Sequence, residues 1–86
     1  MSKVEIYTTG SCVWCVAAKN FLKQRGFNYE ENRVDQNPAK YEEMLQRARR
    51  RSVPQVFIDG EWIGGYEDLV EAERAGRLRP ATGDAA

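Results

Sequence analysis

The sequence contains no histidine. Its absence excludes Ser-His and Cys-His nucleophile pairs and every His-ligated metal centre. Cysteine is nearly as scarce, with only Cys12 and Cys15. Two thiolates cannot close a four-coordinate zinc site within one chain, so no resident metal is expected. Nor does the pair read as a structural staple, because a three-residue separation closes almost no loop. Neither sign of charge is in excess: Lys plus Arg is 13 and Asp plus Glu is 13. Without a net basic field, nucleic acid and anionic membranes are not expected partners. Apolar runs are a few residues long, too short to span a bilayer. Met1 to Gly10 lacks the charged-then-apolar pattern of a secretory signal, so a cytoplasmic location is expected.

What is present fits one small domain. A chain of 86 residues cannot fill two cores. Apolar residues are 42% and charged residues 30%, which places the chain among globular domains and not disordered ones. We expect the domain over residues 1–80 and a frayed tail over 81–86.

Val4-Glu5-Ile6-Tyr7-Thr8 is β-rich, and Thr9-Gly10-Ser11 is turn chemistry with Ser11 a plausible helix N-cap. From Cys12 to Arg25, Cys15, Ala18, Phe21 and Leu22 recur at helical spacing, and Gly26 suits the stop. Phe27 to Val34 reads as a second strand. Asn37-Pro38 opens a second helix whose buried stripe is Tyr41, Met44, Leu45 and Ala48. Arg47, Arg49, Arg50 and Arg51 end it with charge that suits a helix C-terminus, and Ser52-Val53-Pro54 breaks it. Gln55 to Ile58 is a strand, Asp59-Gly60 a hairpin turn, and Glu61-Trp62-Ile63 the return, with Phe57 and Trp62 read as hairpin packing. After Gly64-Gly65, a third helix runs from Asp68 to Ala75. The order β-α-β-α-β-β-α predicts an α/β fold: a mixed four-stranded sheet flanked by helices, with one parallel pair and an antiparallel edge strand.

Cys12-Val13-Trp14-Cys15 opens the first helix. The i to i+3 spacing puts both sulfurs on one face, close enough to bond. Unpaired N–H groups and the positive dipole end favour the thiolate at Cys12, which is the form that attacks a disulfide. Cys15, one turn inside, is the more buried and acts second. This is the layout of a redox dithiol.

On these residues the sequence resembles the glutaredoxins, above all the small bacterial dithiol type. The likeness covers about residues 3–80. It rests on Val4 to Thr8 before the cysteine pair, on Ser52-Val53-Pro54 and on Phe57-Ile58-Asp59. Ile63-Gly64-Gly65 followed by Glu67-Asp68-Leu69 completes it. The resemblance implies a thioredoxin fold and thiol–disulfide exchange with glutathione as co-substrate. It implies a monomer acting on disulfide-bonded or glutathionylated proteins, with ribonucleotide reductase a candidate partner. It also implies a glutathione site. Backbone N–H groups near Glu67 and Asp68 would take the γ-glutamyl carboxylate, and the Asp68 side chain the ammonium. Val53, beside Ser52, would pair its backbone with the cysteinyl unit, next to a cis Pro54. Arg51 or Arg50 would hold the glycine carboxylate, Gly65 would let the backbone come close, and Trp14 would form a wall.

Four positions depart from the family pattern. Val13-Trp14 replaces Pro-Tyr, Thr9 replaces a lysine three residues before Cys12, Ser52 replaces Thr, and Tyr41 replaces Arg or Gln. Two other readings stand beside the first. One is a redoxin reduced by thioredoxin reductase that serves ribonucleotide reductase. The other is a dimer carrying an iron–sulfur cluster on Cys12 and glutathione from each of two chains.

Overall fold

The computed structural model describes residues 3–78. Within them lie β1 (Val4–Thr8), α1 (Val13–Gln24), β2 (Tyr29–Arg33), α2 (Pro38–Ala48), β3 (Gln55–Ile58), β4 (Glu61–Gly64) and α3 (Tyr66–Arg74). The element order is the expected one; the tail over 81–86 lies outside the described residues. The sheet order is β2-β1-β3-β4, with β1 parallel to β2 and the other pairs antiparallel. This is the mixed four-stranded α/β architecture of the thioredoxin fold. No helix among the described residues is long and apolar enough to cross a membrane.

Strand alternation divides the core in two. Val4, Ile6 and Val56 pack on one face with Ala18, Phe21 and Leu22 of α1 and Leu69 of α3. Tyr7 and Phe57 face the other way and meet Val34, Met44 and Ala48. Arg47, from the arginine run, is structural on this second face. Its guanidinium donates to Tyr7 Oη at 2.7 Å and Glu5 Oε1 at 3.1 Å, and lies 3.9 Å from the Phe57 ring centre. Tyr7 in turn donates to Glu43 Oε2 at 2.5 Å. Burial, then the Glu43 bond, push the Tyr7 hydroxyl up to about 12.

Local chemistry moves several boundaries. The N-cap of α1 is Cys12 and not Ser11, because the Cys12 sulfur takes the cap bond from Cys15 N–H. Phe27 does not start β2. Its N–H bonds Leu22 O at 2.9 Å, closing the end of α1, and its ring enters the first core. Asn37 caps α2 as its side-chain oxygen accepts from Ala39 N at 3.1 Å and Lys40 N at 3.3 Å. Arg49, at φ 58°, ends α2, so the remaining arginines belong to a loop. Helix α3 begins at Tyr66, two residues before Asp68, because Asp68 reaches back to accept from Gly65 N at 3.0 Å. The Asp59-Gly60 turn has φ 54° and 82°, the double positive φ of a tight hairpin.

Candidate active site

Cys12 sits where the extended chain leaving β1 enters α1, with φ −107° and ψ 108°. That conformation turns its sulfur back over the first helical turn, where it accepts from Cys15 N–H at 3.0 Å. Cys12 is half-buried, whereas Cys15 is 1% exposed. The two are joined as a disulfide with their Cα atoms 5.1 Å apart. Spacing along one helical turn thus brings the sulfurs together and leaves only Cys12 open to a partner. Val13 and Trp14, between them, point outward.

The loop before Cys12 is tied down from β2. Gly10 N–H donates to Asp35 Oδ2 at 3.0 Å, and Arg33 grips the same carboxylate at 2.8 and 2.9 Å. The Arg33 bond, with help from Gly10, holds the Asp35 carboxyl down at about 2. From the other side, the Val53 carbonyl oxygen lies 3.7 Å from Cys12 Sγ. The Val53–Pro54 bond is cis.

Beside this sulfur opens a cleft of about 220 Å³. The loop before β3 supplies Ser52, Val53 and Pro54, the start of α3 supplies Gly65, Glu67 and Asp68, and α1 supplies Trp14. All seven were expected from the sequence. Arg51 is not among the lining residues; the arginine there is Arg50, whose guanidinium rests 4.8 Å from the Trp62 ring centre. Gln55 and Tyr66 also line the cleft, and sequence reading missed both. A polar residue heading an apolar strand was the signal for Gln55, which is 1% exposed. Tyr66 stacks on Trp14 with ring centres 5.5 Å apart, a pairing across 52 residues of sequence that no local pattern announces. The start of α3 therefore offers backbone N–H groups and a carboxylate to the cleft, the loop before β3 an extended backbone edge and a cation, and Cys12 touches that loop at Val53.

Comparison with known proteins agrees with this geometry. The family model for glutaredoxin matches residues 4–63. Glutaredoxin 3 of Escherichia coli strain K12 is 45% identical over 80 residues, spanning 93% of this chain and 96% of that one. A glutaredoxin of Pseudomonas aeruginosa strain PAO1 is 38% identical over 78 residues, spanning 91% and 93%. Among solved structures, a buckwheat glutaredoxin–glutathione complex superposes with a TM-score of 0.80. It is 31% identical, over 90% of this chain and 73% of that one. With Cys12 and Cys15 paired at the head of α1 as its redox-active dithiol, the chain belongs to the glutaredoxin family of thiol–disulfide oxidoreductases.

Proposed function

We propose that this glutaredoxin is a cytoplasmic, monomeric, glutathione-dependent reductase of glutathione mixed disulfides and protein disulfides. The observation that carries the reading is the cleft beside Cys12, whose groups complement glutathione end to end. Glutathione has two carboxylates and one ammonium. The first-turn N–H groups of α3, at Glu67 and Asp68, suit the γ-glutamyl carboxylate. Asp68 binds Gly65 N–H through Oδ2, which leaves Oδ1 for the ammonium. The Val53 backbone, between Ser52 and Pro54, suits the cysteinyl unit and aims its sulfur at Cys12. Arg50, which lines the cleft where Arg51 does not, suits the glycine carboxylate. Trp14 stacked on Tyr66 walls the site, and Gly65 keeps it shallow. A volume of about 220 Å³ is below the roughly 300–1,000 Å³ of engulfing pockets, as suits a tripeptide lying extended on the surface.

The chemistry follows from which sulfur is reachable. The Cys12 thiolate attacks the glutathione sulfur of a mixed disulfide. A Cys12–glutathione bond forms as the substrate thiolate leaves and takes a proton from water. A second glutathione thiolate then attacks the bound glutathione sulfur, releasing oxidised glutathione and the Cys12 thiolate. With a protein disulfide, Cys12 forms a mixed disulfide with the protein, and the Cys15 thiolate displaces it. The products are the reduced protein and the Cys12–Cys15 disulfide, which two glutathiones reduce. Ribonucleotide reductase is a candidate protein substrate.

The test compares wild type with Cys12→Ser and Cys15→Ser on both substrate types. Cys12→Ser should abolish all exchange. Cys15→Ser should keep turnover of glutathione mixed disulfides and lose reduction of protein disulfides. Turnover with thioredoxin reductase and NADPH, but not with glutathione, would replace this reading with the redoxin one.

A further inference from the structure

Trp62 lies on β4, outside the cleft lining, with 39% of its surface exposed. Such a residue would pass for hairpin packing. Its contacts run the other way, toward the site. Trp62 pairs with Phe57 in the β3–β4 ladder, which makes Gln55 its diagonal neighbour, within reach of a long side chain. The indole N–H donates to Gln55 Oε1 at 2.8 Å. Gln55 is buried, so its amide must find partners inside the protein. With Oε1 taken by a group that can only donate, Nε2 faces the opposite direction. There it donates to the Ser52 carbonyl at 3.0 Å and to Ser52 Oγ at 3.3 Å. Reversing the amide would set N–H₂ against the indole N–H and carbonyl against carbonyl. Ser52 precedes Val53, whose carbonyl is 3.7 Å from Cys12 Sγ. The ring of Trp62 also carries the Arg50 guanidinium at 4.8 Å, and Arg50 lines the cleft.

We infer that Trp62 is a positioning residue for the Cys12 reaction. Through its N–H it orients Gln55, and through Gln55 it fixes the Ser52–Val53 backbone that receives the substrate. Through its ring it holds Arg50 at the cleft. The inference rests on the glutathione reading for what the cleft binds.

The variants Trp62→Phe, Trp62→Leu and Gln55→Met separate the two arms. Trp62→Phe removes the N–H and keeps a ring; Trp62→Leu removes both. Steady-state kinetics on a glutathione mixed disulfide of a small thiol, with wild type in parallel, give the first readout. Trp62→Phe should raise KM roughly three- to tenfold, the value of about one net hydrogen bond, with kcat within about twofold. Trp62→Leu should raise KM further. Trp62→Phe combined with Gln55→Met should be no worse than Gln55→Met alone, since both cut one path. A KM for Trp62→Phe within about 1.5-fold of wild type overturns the inference. So does additivity in the double variant, or a loss of kcat alone that tracks the folded fraction seen by circular dichroism. Wild type failing to turn over the glutathione mixed disulfide would instead refute the glutathione reading. The same KM comparison on a peptide disulfide would then decide the role of Trp62.

Discussion

Gly64→Ala tests whether the junction of β4 and α3 is built around the Asp68 carboxylate. Gly64 has φ 119°, a conformation L side chains rarely adopt. Forcing alanine into such a backbone costs about 1–3 kcal/mol. A Cβ there would also stand 2.7 Å from Asp68 Cγ and 2.8 Å from Asp68 Cβ, closer than real Cβ atoms come. The Asp68 side chain must therefore leave. It takes with it the bond from Gly65 N–H, at about 1 kcal/mol for a lost helix cap. Together the change is about 2–4 kcal/mol. In a domain of this size each kcal/mol moves Tm by about 4–8 °C, so Tm should fall by about 8–32 °C. Gly60→Ala supplies the reference. Gly60 has φ 82° but nothing within 4 Å of the added carbon, so only the backbone contribution operates. Thermal unfolding by circular dichroism compares the two. A further arm places Gly64→Ala in an Asp68→Ala background. The contact with Cγ is then gone and no cap bond is left to lose, although the contact with Cβ remains, so the substitution should cost about 1 kcal/mol less than in wild type. The reasoning fails if Gly64→Ala lowers Tm no more than Gly60→Ala, or if its cost is the same with and without Asp68.

Two further substitutions probe the scaffold away from the cleft. The Tyr7 hydroxyl is raised from 10.0 to about 12 by burial and by Glu43, so the folded state holds its proton more tightly than the unfolded state does. That contribution is intact below pH 10 and is lost as pH rises toward 12. Over that window wild type should lose roughly 2 kcal/mol more stability than Tyr7→Phe in urea titrations; parallel alkaline limbs would contradict the assignment. Asn37→Ala removes the α2 cap and should lower stability by about 1 kcal/mol, read as a shift of the urea midpoint. Turnover at the distant cleft should be unchanged; a cost below a few tenths of a kcal/mol would mean that the cap contributes little.

The sequence by itself determined the order of the elements and the nature of the chemistry, because both are written in short-range terms. The β-rich run from Val4 to Thr8, the Asn37-Pro38 start, the Asp59-Gly60 turn and the helical spacing of Cys15, Ala18, Phe21 and Leu22 each act within one turn or one ladder step. The cysteine pair is local too, so its position at a helix head, with Cys15 buried and Cys12 open, was legible. Family likeness extended that legibility to Val53, Pro54 and Asp68. Boundaries set by reach were not legible. Asp68 looks like a helix start because a capping carboxylate at the third position resembles one at the first. Phe27 looks like strand until α1 takes its N–H.

Only the tertiary structure decided which of four clustered arginines packs into the scaffold and which lines the cleft. Their helix dipole preference is the same. Packing separates them: Arg47 lies on Phe57 beside Tyr7 and Glu5, whereas Arg50, past the left-handed Arg49, is set over Trp62 at the cleft. The same holds for Trp14 on Tyr66 and Trp62 on Gln55. The first depends on how α1 packs beside α3; the second depends on the register of β3 against β4, where hydrogen-bond direction then fixes what Gln55 can hold. Periodicity in one strand or helix says which face is buried; it carries no information on which residue of another element that face will meet.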